Sequence, residues 1–343
     1  MTNLLSLFPT HYSVSSLNQQ CPRRSFYYGC LRFERNESNH HLKSGNLFAR
    51  GEDKALTVYH ETRDAEKAVY EGCQVILNGE DTGDKVKSNE NTAKALERFF
   101  KKYPLGLVDK PALLLNGNIG SEYGFEIDLG IPHPDLPGET IKFIGFFDRI
   151  IDRNGQFVLR DSKTTGQLPR LYIDSSGQPI KVGKNEYQPV DYQKLRNKYG
   201  TTLQLTAYPW AFRKLGNKES AIEIVVIPIT AGSKDKPPEE PCDVMSFTIT
   251  DNQRDVFEAF LYDKICKDII AYQTWKETGD LAGYPCNYSS CFDSFSGKVC
   301  PFYEACFTKG ALEQYALEWN QTVYLDRERR ESISLAQFLE ERK

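Results

Sequence analysis

Hydrophobic and polar positions change period several times along the chain. "YSVSSLNQQCPRRSFYYGCLRFERN" places Ser and Asn cap candidates ahead of aromatic and basic residues at helical spacing, which predicts one or two short helices. Residues 52–75 and 88–103 also keep a helical pattern, and "NGEDTGDKVKSN" between them reads as a loop. The period then shortens. "GSEYGFEIDLGI", "TIKFIGFFDRIID" and "GQFVLRDSKTT" are rich in β-branched and aromatic residues and are separated by turn residues, so they read as strands. Residues 167–190 are dense in Gly, Pro and Asp and predict an irregular loop or small ribbon.

"DYQKLRNKYGTTLQLTAYPWAFRKLG" reads as helix with an interruption near Gly200. "AIEIVVIPI" reads as a buried strand, "SKDKPPEEPCD" as a surface loop and "VMSFTIT" as another strand. The segment from Asp251 to Asp280 predicts a long helix with Asp251 as its N-cap. A cysteine-rich loop and a polar helical tail follow. Helices, strands, one helical segment, strands and helices again predict an α/β sheet core with helical flanks rather than a Rossmann array.

The chain has 343 residues, enough for one large domain or two ordinary ones. A net charge of −4 neither advertises nor excludes nucleic-acid binding, because local basic clusters matter more than the total. No apolar run is long enough to span a bilayer, and "MTNLLSLFPTHYS" lacks the basic start of a signal peptide. The expectation is a cytoplasmic protein without a membrane role. Nine cysteines in that setting point to metal ligation or buried thiols rather than disulfides.

The chemistry concentrates in "FIGFFDRIIDRNGQFVLRDSKTTG", residues 143–166. With Asn154 and Gly155 as the centre of a tight turn, Asp148 falls opposite Asp161, and Lys163 shares their face. Opposed side chains have Cβ atoms roughly 4.5–5.5 Å apart. Two carboxylates that close repel unless a cation lies between them. The alternative is a surface hairpin with solvated acids, one of them paired with Lys163.

"G-F-F-D-R-I…V-L-R-D-S-K-T-T-G" resembles the active-site signature of the PD-(D/E)xK nuclease superfamily, and more narrowly its RecB-like branch. Gln204 and Tyr208 match the branch's Q-x-x-x-Y spacing, and "SVSSLNQQCPRRSFYY" resembles its N-terminal opening. The resemblance implies a restriction-endonuclease-like α/β core with a central mixed sheet flanked by helices. It would form one nuclease domain over 1–310, with a helical part at about 12–103, a catalytic sheet at about 110–250 and a C-terminal helix and cysteine loop at about 251–310. The polar tail occupies 311–343.

The resemblance also implies that Asp148 and Asp161 ligate Mg²⁺ or Mn²⁺, helped by the Ser162 carbonyl. Glu122 is the candidate third carboxylate, with Glu126 second. Lys163 would sit beside the attacking water and the scissile phosphate, with Gln204 and Tyr208 ordering that region. Many relatives carry a helical His four residues after a Gly. No His stands four residues after Gly51, and His60 is out of register.

Cys286, Cys291, Cys300 and Cys306 could form a local zinc loop, although their spacing is not that of a paired zinc ribbon. The resemblance instead implies a structural [4Fe–4S] cluster held by Cys21, Cys291, Cys300 and Cys306, with Cys286 spare. Cys30, Cys73, Cys242 and Cys266 read as buried thiols.

Basic groups at Arg23-Arg24 and Lys194-Arg196-Lys198 are candidates for phosphate contact, with Tyr192, Tyr199 and Trp210 as candidates for base stacking. The implied function is metal-dependent DNA hydrolysis, as an exonuclease in recombination, repair or phage DNA metabolism. A helicase or recombination partner is compatible with it. The rival readings are a DNA-end-binding module on a nuclease fold and a CRISPR-adaptation-type trimming nuclease.

Overall fold

The computed structural model describes residues 8–18, 21–31, 40–106, 110–113, 119–183, 186–232, 237–293, 298–300, 302–307 and 333–334. They fall into two compact units. One lies within Met1–Glu37, Gly124–Gly145 and Asp251–Gln337, and the other within Ser38–Tyr123 and Phe146–Thr250.

In chain order the first unit opens with β1 (His11–Tyr12), α1 (Val14–Leu17) and α2 (Pro22–Gly29). Of the one or two short helices expected there, two form. Ser13 caps α1 in a reciprocal capping box with Ser16, and Pro22 at the first turn of α2 fits a position that needs no N–H.

The second unit starts with three helices, α3 (His40–Thr62), α4 (Ala65–Leu77) and α5 (Asn89–Lys102). The single helix expected over 52–75 is in fact the end of α3 joined to most of α4. The break comes at Arg63, whose φ is 60°, and Asp64 then caps α4 by accepting from the Lys67 N–H. Ser88 caps α5 in the same way.

Two glycines set the α3–α4 crossing. A Cβ on Gly51 would lie 2.6 Å from Ile76 Cδ1, and one on Gly72 would lie 2.5 Å from the Gly51 carbonyl oxygen. The helices therefore touch backbone to backbone. Leu47, Phe48, Ile76, Leu96 and Phe99 build a core from these helices together with Val225 and Ile227.

The strands follow as β2 (Lys110–Pro111), β3 (Ser121–Pro132), β4 (Thr140–Arg153) and β5 (Gln156–Thr165). After an irregular ribbon come α6 (Tyr192–Gly200), α7 (Leu203–Lys214), β6 (Glu219–Pro228) and β7 (Met245–Phe247). The break between α6 and α7 falls at Thr201–Thr202, next to the expected Gly200. Within the second unit β4 pairs antiparallel with β2 and β5, β5 pairs parallel with β6, and β6 pairs antiparallel with β7. This is a mixed sheet with helices, the α/β class expected from the order of elements. β6 is buried along most of its length, as its unbroken apolar run requires. The second strand expected after it is only three residues long.

In the first unit β1 pairs parallel with β4, and β10 (Ile333–Ser334) pairs parallel with β3. The long helix α8 (Asp251–Thr278) packs there, with Phe257 against Phe143 and the Tyr262 hydroxyl donating to the Leu129 carbonyl. Asp251 sits in its first turn and holds Arg254 at 2.7 Å. Beyond α8 lie the short strands β8 (Phe292–Asp293) and β9 (Lys298–Val299) and the helix α9 (Tyr303–Phe307). Apart from β10, the tail expected to be helical over 311–343 lies outside the described residues.

Candidate active site

The β4–β5 hairpin turns on Asn154 and Gly155, with φ of 55° and 83°. Both positive angles are what a two-residue type I′ turn requires, and Asn and Gly tolerate them best. The register follows: Arg153 faces Gln156, Ile151 faces Val158 and Arg149 faces Arg160. One more step sets Asp148 opposite Asp161.

The two carboxyl groups lie within hydrogen-bonding reach of each other. Burial, then the Asp161 charge, pushes the Asp148 carboxyl well above the usual carboxylate range. Asp161 is 3% exposed. Its Oδ2 receives the Lys163 ammonium at 2.7 Å, while its buried Oδ1 has no hydrogen-bond partner among the described residues. Burial alone would lower the Lys163 pKa. Asp161 and Asp148 outweigh it and hold the ammonium above its ordinary value.

One helix supplies the next layer. Lys163 Nζ donates to Gln204 Oε1 at 2.8 Å. Tyr208 follows Gln204 by one turn of α7 and stacks edge-on against Phe147. Burial, then the charges of Asp148 and Asp161, raises its phenol far above the ordinary tyrosine range. Glu122 adopts a left-handed backbone with φ of 48°, and its charge is felt by Asp148 and Tyr208. The structure thus gathers Glu122, Asp148, Asp161, Lys163, Gln204 and Tyr208. Glu126 is engaged elsewhere, with Lys142 at 2.7 Å.

Sequence reading passed over a second layer on the opposite face of the hairpin. Glu52 of α3 forms an ion pair with Arg149, both side chains being under a tenth exposed. The Ser162 hydroxyl lies 3.4 Å from the same carboxylate. A signal existed, because Glu52 shares the apolar stripe of Phe48, Ala55 and Leu56, where an unpaired acid would be costly. His60 lies two turns further along α3, about 12 Å from Glu52 along the axis. Glu52, not His60, is the α3 residue that contacts Arg149 of β4 and Ser162 of β5.

An unpartnered buried carboxylate oxygen beside a second carboxyl is the donor chemistry a hard divalent cation takes. The residues present therefore fit Mg²⁺ or Mn²⁺. As the side chains stand, no group of three or more His, Cys, Asp or Glu among the described residues is drawn together tightly enough to hold an ion.

The sequence profile of the PD-(D/E)XK nuclease superfamily matches residues 11–306. The chain belongs to the PD-(D/E)XK nuclease superfamily. No curated protein matches the chain significantly. Members of this superfamily are metal-dependent nucleases that typically use Mg²⁺ or Mn²⁺, and the β4–β5 hairpin that carries Asp148, Asp161 and Lys163 lies within the matched residues of this PD-(D/E)XK chain.

In the first unit the loop cysteines approach Cys21. The Asn287 N–H points at Cys21 Sγ at 3.4 Å, and Cys300 N–H donates to the Cys291 carbonyl at 2.8 Å. Burial, then Cys21, Cys300 and Cys286, raises the Cys291 thiol. The Cys306 thiol is pushed up to about 12 by burial and then by its hydrogen bond with the Cys286 thiol. Of the four other thiols, Cys30, Cys73 and Cys242 are buried as expected, but Cys266 is exposed on α8.

Two stacking candidates are corrected. Trp210 and Tyr199 are 2% and 7% exposed and offer no free ring face, and the Tyr192 hydroxyl accepts the Asp243 N–H. Arg23 spends its guanidinium on the carbonyls of Tyr284 and Leu281, and Arg196 on the Ser246 carbonyl and the Phe247 ring. Lys194 and Lys198 remain exposed. No helix among the described residues is long and apolar enough to cross a membrane.

Proposed function

We propose that this chain hydrolyses DNA phosphodiester bonds as a Mg²⁺- or Mn²⁺-dependent exonuclease of the RecB-like branch. The observation that carries the reading is the opposed Asp148–Asp161 pair beside a lysine held charged. Asp148, Asp161 and the adjacent Glu122 would hold the cation, which when bound supplies Lewis acidity and an activated water. Lys163 offsets charge growing on the phosphate and orients the incoming water. Gln204 fixes the direction of its Nζ. Tyr208 stays protonated at any working pH and serves as a donor, not a base.

End-labelled linear and closed-circular DNA, single- and double-stranded, separates the possibilities. Shortening of linear DNA only, with a loss of about a hundredfold or more in Lys163→Ala, is expected. Cutting of circles would make the enzyme an endonuclease at the same site. Binding without cleavage by the wild-type chain would leave a DNA-gripping module.

Cys21, Cys291, Cys300 and Cys306 are proposed to hold a [4Fe–4S] cluster that staples residue 21 to the C-terminal loop. The mutual influence of these thiols and Cys286 supports it, and thiolates suit iron–sulfur or zinc. Anaerobically purified protein should contain iron and acid-labile sulfide in equal amounts, both lost in Cys300→Ser. Zinc without sulfide would replace the cluster by a zinc loop, and neither element would remove the staple.

A further inference from the structure

A groove of about 390 Å³ opens beside the catalytic lysine. Thr165 begins it, two residues beyond Lys163 on the same face of β5. Tyr199 forms part of its wall and feels the charges of both Lys163 and Asp161. Lys194 and Lys198 line its α6 side at i, i+4 spacing, and Tyr172 lines the side made by the ribbon after β5. No carboxylate lines it among the described residues.

The ribbon is braced, not loose. Arg170 forms an ion pair with the buried Glu239 at 2.6 Å, donates to the Gln188 carbonyl at 2.7 Å and lies over the Tyr187 ring. The Ile180 N–H bonds the Tyr172 carbonyl, and the Leu171 N–H bonds the Pro189 carbonyl. On this anchored backbone Leu171, Tyr172 and Ile173 are 38%, 63% and 58% exposed. A fixed segment that turns three consecutive apolar side chains to water is not explained by folding, since folding would bury them. Arg170 is committed to Glu239. The exposed cations lining the groove are Lys194 and Lys198, the Lys198 ammonium lying 5.1 Å from the centroid of the Tyr199 ring that forms the wall.

We propose that this groove is a single-strand subsite. One nucleotide next to the scissile position would occupy it, its base stacked on Tyr172 and its flanking phosphates on Lys194 and Lys198. Positive charge suits the phosphates, and an exposed aromatic face suits an unstacked base, which a duplex does not offer. The proposal rests on the nuclease reading for its orientation toward Lys163.

The test measures anisotropy of fluorescein-labelled dT12 and of a blunt hairpin duplex with the full chain in EDTA, where no cleavage occurs. Tyr172→Ala should weaken dT12 binding about tenfold, with Tyr172→Phe near wild type. Lys194→Ala/Lys198→Ala should lower the salt slope for dT12 by about 1.4, the value for two phosphates. All three side chains are exposed, so unchanged thermal melting should accompany these losses. Wild-type dT12 affinity in both the Tyr172→Ala and the double-lysine variants overturns the subsite. So does a loss confined to the duplex, which would assign the groove to double-stranded DNA. Tyr172-dependent binding by a chain that cleaves nothing would keep the subsite and remove the nuclease reading. Cleavage with unchanged binding in the variants would do the reverse.

Discussion

Asp161→Asn should reduce DNA cleavage by at least about a thousandfold while leaving the fold intact. Oδ1 is a buried oxygen left without a hydrogen-bond partner among the described residues, and Oδ2 neutralises Lys163. The amide keeps the shape but removes the charge that both a cation and the ammonium need. DNA binding should hold or tighten, because a negative charge leaves the phosphate site. Activity within tenfold of wild type would mean that the hairpin is not the reaction centre.

The pH profile carries the same expectation. Burial and the Asp161 charge raise the Asp148 pKa, and a protonated carboxyl cannot ligate. Cleavage should therefore fall as pH drops through a midpoint above the ordinary carboxylate range. Cation and proton compete for the site, so more Mg²⁺ should move that midpoint down. Without metal the sign for stability is opposite. The native state holds the Asp148 proton more tightly than the unfolded chain, so stability falls as pH rises from the ordinary carboxylate value through the raised one. Asp148→Asn should flatten that slope. An activity midpoint that ignores Mg²⁺ would disconnect Asp148 from the cation.

The hairpin chemistry was readable from sequence because it is local. Asn154-Gly155 fixes a register, and the register alone puts Asp148, Asp161 and Lys163 on one face. Gln204 and Tyr208 stand out by their resemblance to the Q-x-x-x-Y spacing, and one helical turn fixes only their relation to each other. Side chains set by tertiary packing were not readable. Glu52 meets Arg149 across 97 residues, and only the stripe it interrupts hinted at burial. Tyr199 and Tyr172 are both tyrosines near basic residues, yet one is walled in and the other exposed. That difference is made by a ribbon whose Arg170–Glu239 anchor no local pattern reveals. The break at Arg63 was hidden because polar residues around it keep helical composition, while the Asp64 cap acts through geometry.

The largest stability effect should come from Glu52→Ala. Its partner Arg149 is 7% exposed on the side chain and packs over the Phe99 ring, so truncation takes the carboxylate out of a buried ion pair. The cost should be about 3–5 kcal/mol, a Tm lower by about 10 °C. Replacing both partners, as Glu52→Leu/Arg149→Met, removes the buried guanidinium along with the carboxylate and should restore most of that stability. Cleavage should not return with it. Glu52 also receives the Ser162 hydroxyl, and Ser162 and Arg149 adjoin Asp161 and Asp148 in the chain. Without the pair the two strands lose a side-chain tie on the face behind Asp148 and Asp161, and kcat should stay about ten- to a hundredfold down, with DNA affinity unchanged. A weaker apparent affinity for Mg²⁺ should accompany it. Recovery of both Tm and kcat in the double variant would reduce Glu52 to packing. A wild-type Tm in Glu52→Ala would show that the buried pair contributes nothing.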